Sequence, residues 1–369
     1  MRRPPDRVAI FLSSLGGGGA QRSMLRLAGG IAERGHRVDL VVVRAEGHYG
    51  GEVAHPVRVV DLGARRALLA LPRLAAYLRR ERPAALLSSL DYVNIVALWS
   101  RRLAGVATRL VVNEQNTLSV AVANTASRRT RWMPGLVGRF YPWADGIVAV
   151  SEGVADDLAR ATGLPRERID VIYNPVVTPQ LEAMAKEPLE HPWFRRGEPP
   201  VIAALGRLVP QKDFGHLIRA FARLRRAGRE ARLLILGEGP ERASLEALVR
   251  ESGVVRDVAL PGWIVNPYPH LVRSSLFVLS SRWEGLPTVL IEALFCGLPV
   301  VSTDCPSGPR EILADGKHGV LVPVGDVDAL ARAMEGVLAA AVERPGRESW
   351  LPFAQDVVVD RYLHRLLGT

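Results

Sequence analysis

The sequence is poor in several residue types, and each shortage excludes a class of protein. Its 369 residues include 2 cysteines, Cys296 and Cys305, too few for a disulfide framework, which indicates a reducing compartment. No apolar run approaches the roughly 18 residues that cross a membrane. Arg2 and Arg3 precede an apolar run of only Val8 to Leu12, too short for a secretory signal. We therefore expect a cytoplasmic protein.

Lysine is also scarce, and the basic charge is unevenly spread. Only 3 of the 48 basic residues are lysine. Residues 1–178 carry 25 Lys and Arg against 15 Asp and Glu, whereas residues 179–369 carry 23 against 23. Such an excess informs about partners rather than fold. The Arg-rich and aromatic segment from Arg128 to Trp143 suits peripheral contact with the inner face of the cell membrane, with a solvated basic face as the equal alternative.

No motif for a nucleic acid or a metal accompanies this charge. Because no nucleic-acid recognition motif occurs, we expect no nucleic-acid partner. The pair Asp326 and Asp328 matches the spacing of metal-binding carboxylates, but it follows a Pro-Val-Gly turn and begins a helical pattern. Helix capping is therefore the favoured interpretation of this pair, and we expect no metal site and no cofactor.

Two series of alternating apolar and amphipathic segments fill the chain and predict an α/β fold with two domains. Strand and helix patterns alternate from Val8 to Ala161 and restart from Val201 to Ala340, after a proline-rich stretch at Pro188–Pro200. This alternation is typical of βαβ units, here two doubly wound, Rossmann-like domains with ligands at the carboxyl ends of the strands, in a cleft between the domains. The predicted domains are 1–178 and 198–350, followed by a C-terminal helix in 351–369.

Two glutamates lie eight residues apart in the run from Ser280 to Leu313. Glu284 belongs to a Trp-Glu-Gly-Leu-Pro loop, and Glu292 lies inside an apolar stretch that should be buried. A buried carboxylate is costly unless it is hydrogen-bonded. Pro287 fits the first turn of a helix, so the amides of Gly285, Leu286 and Thr288 would form an anion site at its N-terminus. Carboxylates beside such a site suit a sugar nucleotide; a Glu paired with an Arg or a backbone amide is the alternative.

Two further loops contain groups suited to phosphate. Gly206, Arg207 and Lys212 follow the first strand of the second domain, and two cations five residues apart can hold a diphosphate. A solvated loop and, for Asp213, a helix N-cap are the alternatives. Four glycines, residues 16–19, follow the first strand of the chain and let the backbone approach a phosphate or sugar, or form a plain tight turn. The dinucleotide pattern Gly-x-Gly-x-x-Gly fails there, which disfavours an NAD enzyme.

Taken with their flanking residues, these motifs resemble glycosyltransferase family 4, the retaining transferases with the GT-B fold. The run Glu-Gly-Leu-Pro, then Glu-Ala-Leu, then Gly-Leu-Pro-Val-Val-Ser-Thr-Asp carries the resemblance, which extends from about Val8 to about Tyr362. The resemblance implies that Arg207 and Lys212 bind the donor diphosphate, Glu284 the sugar hydroxyls and Glu292 the ribose. It further assigns Gly18 and Gly19 to the donor-side loop and backbone groups around Ile264 to the base. It also implies that the last helix crosses back to the first domain.

One departure from the family concerns the acceptor side. Many relatives have a His about where Gln115 stands. Glu114 and Gln115 are therefore acceptor-side candidates, with a structural role for both as the equal alternative.

The resemblance implies a metal-independent transferase that moves a sugar from a UDP-sugar to a glycan or polyprenyl-linked acceptor in cell-envelope polysaccharide assembly, with an N-acetylhexosamine or a hexose as the sugar. The alternatives are a sugar-nucleotide epimerase, a phosphorylase, which 3 lysines disfavour, and a non-catalytic sugar-nucleotide sensor.

Overall fold

The computed structural model describes residues 6–16, 18–124, 128–340 and 343–368, which divide into two compact units. The first unit falls within Met1–Val176 and Phe353–Thr369, and the second is Val177–Pro352. Residues 179–197, which the sequence left between the two predicted domains, therefore belong to the second unit. The last helix packs within the first unit, because its buried Val358, Val359 and Tyr362 join the apolar core around β1.

The first unit contains a seven-stranded parallel sheet with strand order β3-β2-β1-β4-β5-β6-β7. Its strands are β1 (Arg7–Leu12), β2 (Arg37–Val42), β3 (Arg58–Asp61), β4 (Ala85–Ser89), β5 (Arg109–Glu114), β6 (Gly146–Ala149) and β7 (Ile169–Val171). Its helices are α1 (Gly19–Glu33), α2 (Ala67–Glu81), α3 (Asp91–Ala104), α4 (Leu118–Ala123), α5 (Arg128–Arg131), α6 (Met133–Phe140), α7 (Glu152–Thr162) and, from the end of the chain, α15 (Gln355–Leu367).

The second unit contains a six-stranded parallel sheet with strand order β10-β9-β8-β11-β12-β13. Its strands are β8 (Val201–Leu205), β9 (Arg232–Leu236), β10 (Val258–Gly262), β11 (Leu276–Leu279), β12 (Val300–Thr303) and β13 (Val320–Val322). Its helices are α8 (Pro179–Ala185), α9 (Phe214–Arg226), α10 (Arg242–Glu251), α11 (Tyr268–Arg273), α12 (Thr288–Phe295), α13 (Pro309–Ile312) and α14 (Val327–Ala339).

Both sheets form because their central strands are apolar on both faces. In β1, residues Val8 to Leu12 are all buried, and in β8 residues Val201 to Ala204 are buried. Strands with two covered faces are typical of parallel sheets flanked by helices. No helix among the described residues combines the length and the apolar character needed to cross a bilayer.

The strand orders place the reversal of winding between β1 and β4 in the first unit and between β8 and β11 in the second. At such a switch point the two following loops leave in opposite directions, so a crevice opens at the carboxyl ends of the two strands. The loops after β8 and β11 are therefore the expected ligand-binding loops of the second unit, and the loops after β1 and β4 are those of the first.

Candidate functional site

Two loops of the second unit meet at its switch point. Residues 206–213 follow β8, residues 280–287 follow β11, and these strands are paired neighbours. The loops are bonded to each other through their backbones, because the Arg282 amide donates to the Gln211 carbonyl over 2.8 Å. The Ser280 hydroxyl likewise donates to the Lys212 carbonyl over 2.8 Å. The two predicted donor-binding segments are thus brought together.

Lys212 and Glu284 form an ion pair across these loops. The Lys212 Nζ to Glu284 Oε1 distance is 2.5 Å, and the two side chains are 15% and 7% exposed. Attraction between charges is stronger where water is largely excluded, and losing one partner leaves the other poorly solvated. The pair therefore orients both side chains at the carboxyl ends of β8 and β11.

Two neutral side chains complete the surroundings of the Glu284 carboxylate. The Ser281 hydroxyl donates to Oε1 over 2.6 Å. The Gln211 amide donates to Oε2 over 3.4 Å and to the Trp283 carbonyl over 2.9 Å. Neither residue was predicted from the sequence. The only indication there is position, because Gln211 directly precedes Lys212 and Ser281 follows closely after the end of β11.

Arg207 differs from Lys212 in its exposure. It lies exposed two residues after β8, and among the described residues it makes no salt bridge. Gly206 precedes it, and a side chain there would come within 3.3 Å of the Lys212 Cε atom. Asp213 stands at the N-cap position of α9 but makes no capping bond; its carboxylate accepts from Arg282 Nε over 2.7 Å. The loop after β8 therefore carries two cations, the exposed guanidinium of Arg207 and the ammonium of Lys212, which is held in an ion pair.

The third part of the site is the start of α12. The helix begins at Thr288, and Pro287 precedes it with extended backbone angles, so the prediction that Pro287 lies in the first turn is wrong by one residue. Gly285 and Leu286 are buried directly before it, and Glu292 is buried on the helix. The Tyr268 hydroxyl donates to Glu292 Oε1 over 3.1 Å. This contact supplies the buried Glu292 carboxylate with a phenol donor.

Ile264 lies after β10, at the edge of the same sheet. Its side chain is half-buried against the small apolar cluster formed by Val201, Leu234 and Leu236, while the neighbouring Trp263 is exposed. Its backbone therefore lies at the carboxyl end of β10, the edge strand, and β9 separates it from β8, which the Lys212 loop follows.

In the first unit, the glycine-rich loop follows β1 as predicted. Gly17 lies outside the described residues; Gly18 is the N-cap residue of α1, and Gly19 is its first residue. The Gly18 amide donates to the Gln21 side-chain oxygen over 3.2 Å. A side chain on Gly47 would come within 2.2 Å of the Gly16 amide nitrogen, so the loop packs against a second backbone segment.

Glu114 and Gln115 belong to a buried polar network at the carboxyl end of β5. The Glu114 carboxylate accepts from Asn94 Nδ2 over 3.1 Å and from the Tyr141 hydroxyl. The Gln115 amide donates to Asn113 Oδ1 over 2.5 Å, and its oxygen accepts from Asn174 Nδ2 over 2.8 Å. Both candidates are therefore buried and already bonded, and the network partners Asn94, Tyr141 and Asn174 were not foreseen.

The ionisation of Glu114 follows from this burial. Desolvation, reinforced by the nearby charge of Asp91, raises the pKa of Glu114 to about 8, although the bonds from Tyr141 and Asn94 oppose the shift. Burial also raises the pKa of Asp91, which begins α3. Glu114 is therefore largely protonated at neutral pH and acts as a neutral hydrogen-bonding group.

Asp326 caps a helix, as predicted. Its side chain accepts from the Ala329 amide over 2.8 Å at the start of α14, and Asp328 pairs with Arg223. Across the described parts of the chain, no three His, Cys, Asp or Glu side chains gather in a way that could hold a metal ion.

Two segments of the chain match known families. Residues 17–179 match the family described as Glycosyltransferase Family 4, and residues 199–340 match that described as Glycosyl transferases group 1. These matches include both switch-point loops of the second unit and the Glu114 region of the first.

Individual relatives extend the likeness. An N-acetylgalactosamine-N,N'-diacetylbacillosaminyl-diphospho-undecaprenol 4-alpha-N-acetylgalactosaminyltransferase of Campylobacter jejuni is 34% identical over 68% of this chain and 65% of its own length. The lipopolysaccharide core biosynthesis glycosyltransferase LpsE of Rhizobium meliloti is 29% identical over 95% of this chain and 96% of its own. The structure of Anabaena Alr3699/HepE in complex with UDP has a TM-score of 0.77 at 18% identity, over 99% of this chain and 100% of that one. The predicted GT-B fold class is thereby confirmed.

Proposed function

This chain belongs to the family 4, or group 1, glycosyltransferases, and we propose that it moves a sugar from a nucleotide diphosphate donor to a hydroxyl of a glycan acceptor, with retention of anomeric configuration. One observation carries the proposal: the Lys212–Glu284 pair lies at the switch point of the second sheet, where ligands of doubly wound folds bind. A cation for the diphosphate and a carboxylate for sugar hydroxyls are thus adjacent.

The proposed roles follow from the chemistry of each group. Arg207 and Lys212 neutralise the charge that develops on the departing diphosphate, and the amides of Gly285, Leu286 and Thr288 add fixed dipoles, so no metal is required. Gly206 contributes by letting the loop pass close to Lys212. The Glu284 carboxylate accepts bonds from the donor sugar's hydroxyls. Glu292 accepts bonds from the ribose, and backbone groups at Ile264 contact the base. In the first unit, we assign Gly18 and Gly19 to the donor-side loop.

The acceptor side belongs to the first unit in this proposal. Because Glu114 and Gln115 are buried and bonded, we assign them to supporting the loops after β5 rather than to contact with the acceptor. The Campylobacter relative's name includes a diphospho-undecaprenol glycan, and the Rhizobium relative assembles a lipopolysaccharide core. A polyprenyl-linked or lipid-linked glycan is therefore the acceptor class that we propose, with a UDP-sugar as the first donor to test.

The experiment measures nucleotide diphosphate release from UDP-, GDP- and ADP-sugars with EDTA present, with and without polyprenyl-diphosphate glycans. We expect release with one donor, increased by the lipid-linked acceptor, and a loss of about 100-fold or more in Lys212→Ala. Lys186→Ala is the matched control, because Lys186 is an exposed lysine paired with Glu182 on α8. Binding of one sugar nucleotide without any release would instead favour the sensor, and interconversion of donors would favour the epimerase.

A further inference from the structure

The Lys212–Glu284 pair has a consequence for which ligands the site accepts. Both residues are assigned to donor binding, yet they bind each other at 2.5 Å. Glu284 Oε1 also accepts from Ser281, and Oε2 from Gln211. The carboxylate therefore accepts bonds at both oxygens, and the ammonium is neutralised, from within the protein itself.

We propose that Lys212 and Glu284 form an exchangeable pair by which the donor site distinguishes a sugar nucleotide from the bare nucleoside diphosphate. This inference rests on the proposed function. On binding, the Lys212 ammonium exchanges the carboxylate for the diphosphate, and the Glu284 carboxylate exchanges the ammonium for hydroxyls of the sugar. No covalent bond changes in this step.

The energetic argument compares the two ligands. A complete sugar nucleotide supplies a new partner to each member of the pair. A bare nucleoside diphosphate supplies one for Lys212 only, so Glu284, whose side chain is 7% exposed, would lose its cation while still desolvated. A buried charge that loses its partner is costly. The pair thus weakens binding of the product diphosphate relative to the donor, and it re-forms once the sugar has been transferred.

The rest of the loop geometry supports an exchange rather than a permanently fixed pair. Ser281 and Gln211 continue to bond the carboxylate when the ammonium leaves, so Glu284 keeps its position. Arg207, exposed on the same loop and without a salt bridge among the described residues, is available to the diphosphate from the outset. Arg207 therefore makes the first contact, and Lys212 follows.

The test measures the dissociation constants of UDP and of the donor UDP-sugar by calorimetry in the full-length protein. In Glu284→Gln, Lys212 is released, so we expect UDP to bind about three- to tenfold more tightly, while the additional affinity for the sugar nucleotide disappears. Asp39→Asn is the matched control, because Asp39 is a buried carboxylate that pairs with Arg58 over 2.5 Å in the first unit and has no assigned role in donor binding. We expect no tightening there, and in Ser281→Ala a change of UDP affinity below about twofold.

The outcomes separate this inference from the proposed function. Weaker UDP binding in Glu284→Gln, comparable to that in Lys212→Ala, would mean that Glu284 only holds Lys212 in place, and the exchange would be wrong. Equal tightening of UDP binding in Glu284→Gln and Asp39→Asn would mean that the loss of any negative charge explains the effect, and it would also overturn the exchange. If the unaltered protein bound no nucleotide at all, the proposed function itself would be wrong, and the exchange would fall with it.

Discussion

At the scale of a single residue, Glu114 couples the stability of the first unit to pH. Its pKa is about 8 in the folded chain against an ordinary value of 4.5. The folded state therefore binds a proton that the unfolded state has lost between these values. The stabilisation from this proton is fully present below about pH 4.5 and is lost as the pH rises through about 8, with a slope of up to about 1.4 kcal/mol per pH unit.

We predict that Glu114→Gln abolishes this slope. The amide oxygen still accepts from Asn94 and Tyr141, and the variant has no proton to lose. Urea unfolding at several pH values between 5.5 and 7.5 measures the effect, with Glu182→Gln, an exposed carboxylate on α8, as control. If the free energy of unfolding changed with pH in the same way in Glu114→Gln and in the unaltered protein, burial would not raise the pKa of Glu114 as proposed.

The residue scale also shows how far the sequence predicts the site. Lys212 and Glu284 could be nominated because a lysine in an Arg-rich chain and a carboxylate in a Gly-Leu-Pro context are chemically distinctive. Their pairing joins residues 72 positions apart and depends on β8 and β11 being neighbours in the sheet. Gln211 and Ser281 have no distinctive context of their own, so only the folded arrangement identifies them.

At the scale of elements, two turns of the second unit depend on each other. Gly237, after β9, has a φ of +150°, and a side chain there would come within 1.9 Å of the Gly206 carbonyl oxygen. The Gly206 amide donates to the Leu236 carbonyl over 3.0 Å, and the Leu208 amide donates to the Glu238 carbonyl over 2.9 Å. The turn after β9 therefore supports the loop that holds Arg207 and Lys212.

We predict that Gly237→Ala lowers both stability and UDP affinity. The new methyl group must displace the Gly206 backbone, at a cost of about 2 kcal/mol or more. Gly253→Ala is the matched control, because Gly253 also has a positive φ, +74°, but no atom lies within 4 Å of the position of a new side chain. It should lose about 1 kcal/mol from strain alone and keep its UDP affinity. Similar losses of UDP affinity in Gly237→Ala and Gly253→Ala would contradict the idea that the turn after β9 supports the loop after β8.

Elements also differ in how well the sequence predicts them. β8 and β11 coincide with the continuous apolar runs Val201–Leu205 and Leu276–Leu279, because both faces of a central strand are covered. The short outer strands β3, β7, β10 and β13 are harder to predict. β3 is mostly exposed, β7 and β13 have 3 residues each, and β10 contains Pro261, so none presents a long apolar run. A proline inside a helix usually kinks or interrupts it, yet α2 continues through Pro72.

At the scale of the whole molecule, the charge asymmetry coincides with an exposed aromatic surface. The ring centroid of Trp99 on α3 lies 5.1 Å from that of Phe140 on α6 and 5.7 Å from that of Trp143. The Arg102 guanidinium lies 4.7 Å from the Trp143 ring centroid. Leu136 on α6 lies four residues before Phe140, and Trp132, the N-cap residue of that helix, lies eight residues before it; both are exposed, Trp132 by 74%. The side chains of Arg128 and Arg129 lie outside the described residues.

This surface suits an anionic bilayer. Tryptophan favours the boundary between headgroups and acyl chains, and each arginine near that boundary contributes about 1 kcal/mol. Not every basic residue of the region is available for this role: on α2, Arg73 donates to the Leu62 and Gly63 carbonyls over 2.5 and 2.6 Å. We propose that the surface around Trp99 and Trp132 mediates peripheral membrane contact.

We predict that the protein co-sediments with vesicles of phosphatidylglycerol and phosphatidylcholine, and that salt weakens this binding, because the attraction is partly electrostatic. Trp132→Ser combined with Leu136→Ser should weaken it about tenfold, since both side chains lose their insertion into the bilayer. The control pair is Trp263→Ser with Val265→Ser, which removes a similarly exposed tryptophan and aliphatic residue from the second unit, within the half of the chain that carries no net charge. Equal losses in the two pairs, or equal binding to vesicles of phosphatidylcholine alone, would assign the attraction to nonspecific hydrophobic contact instead of to this basic, aromatic surface.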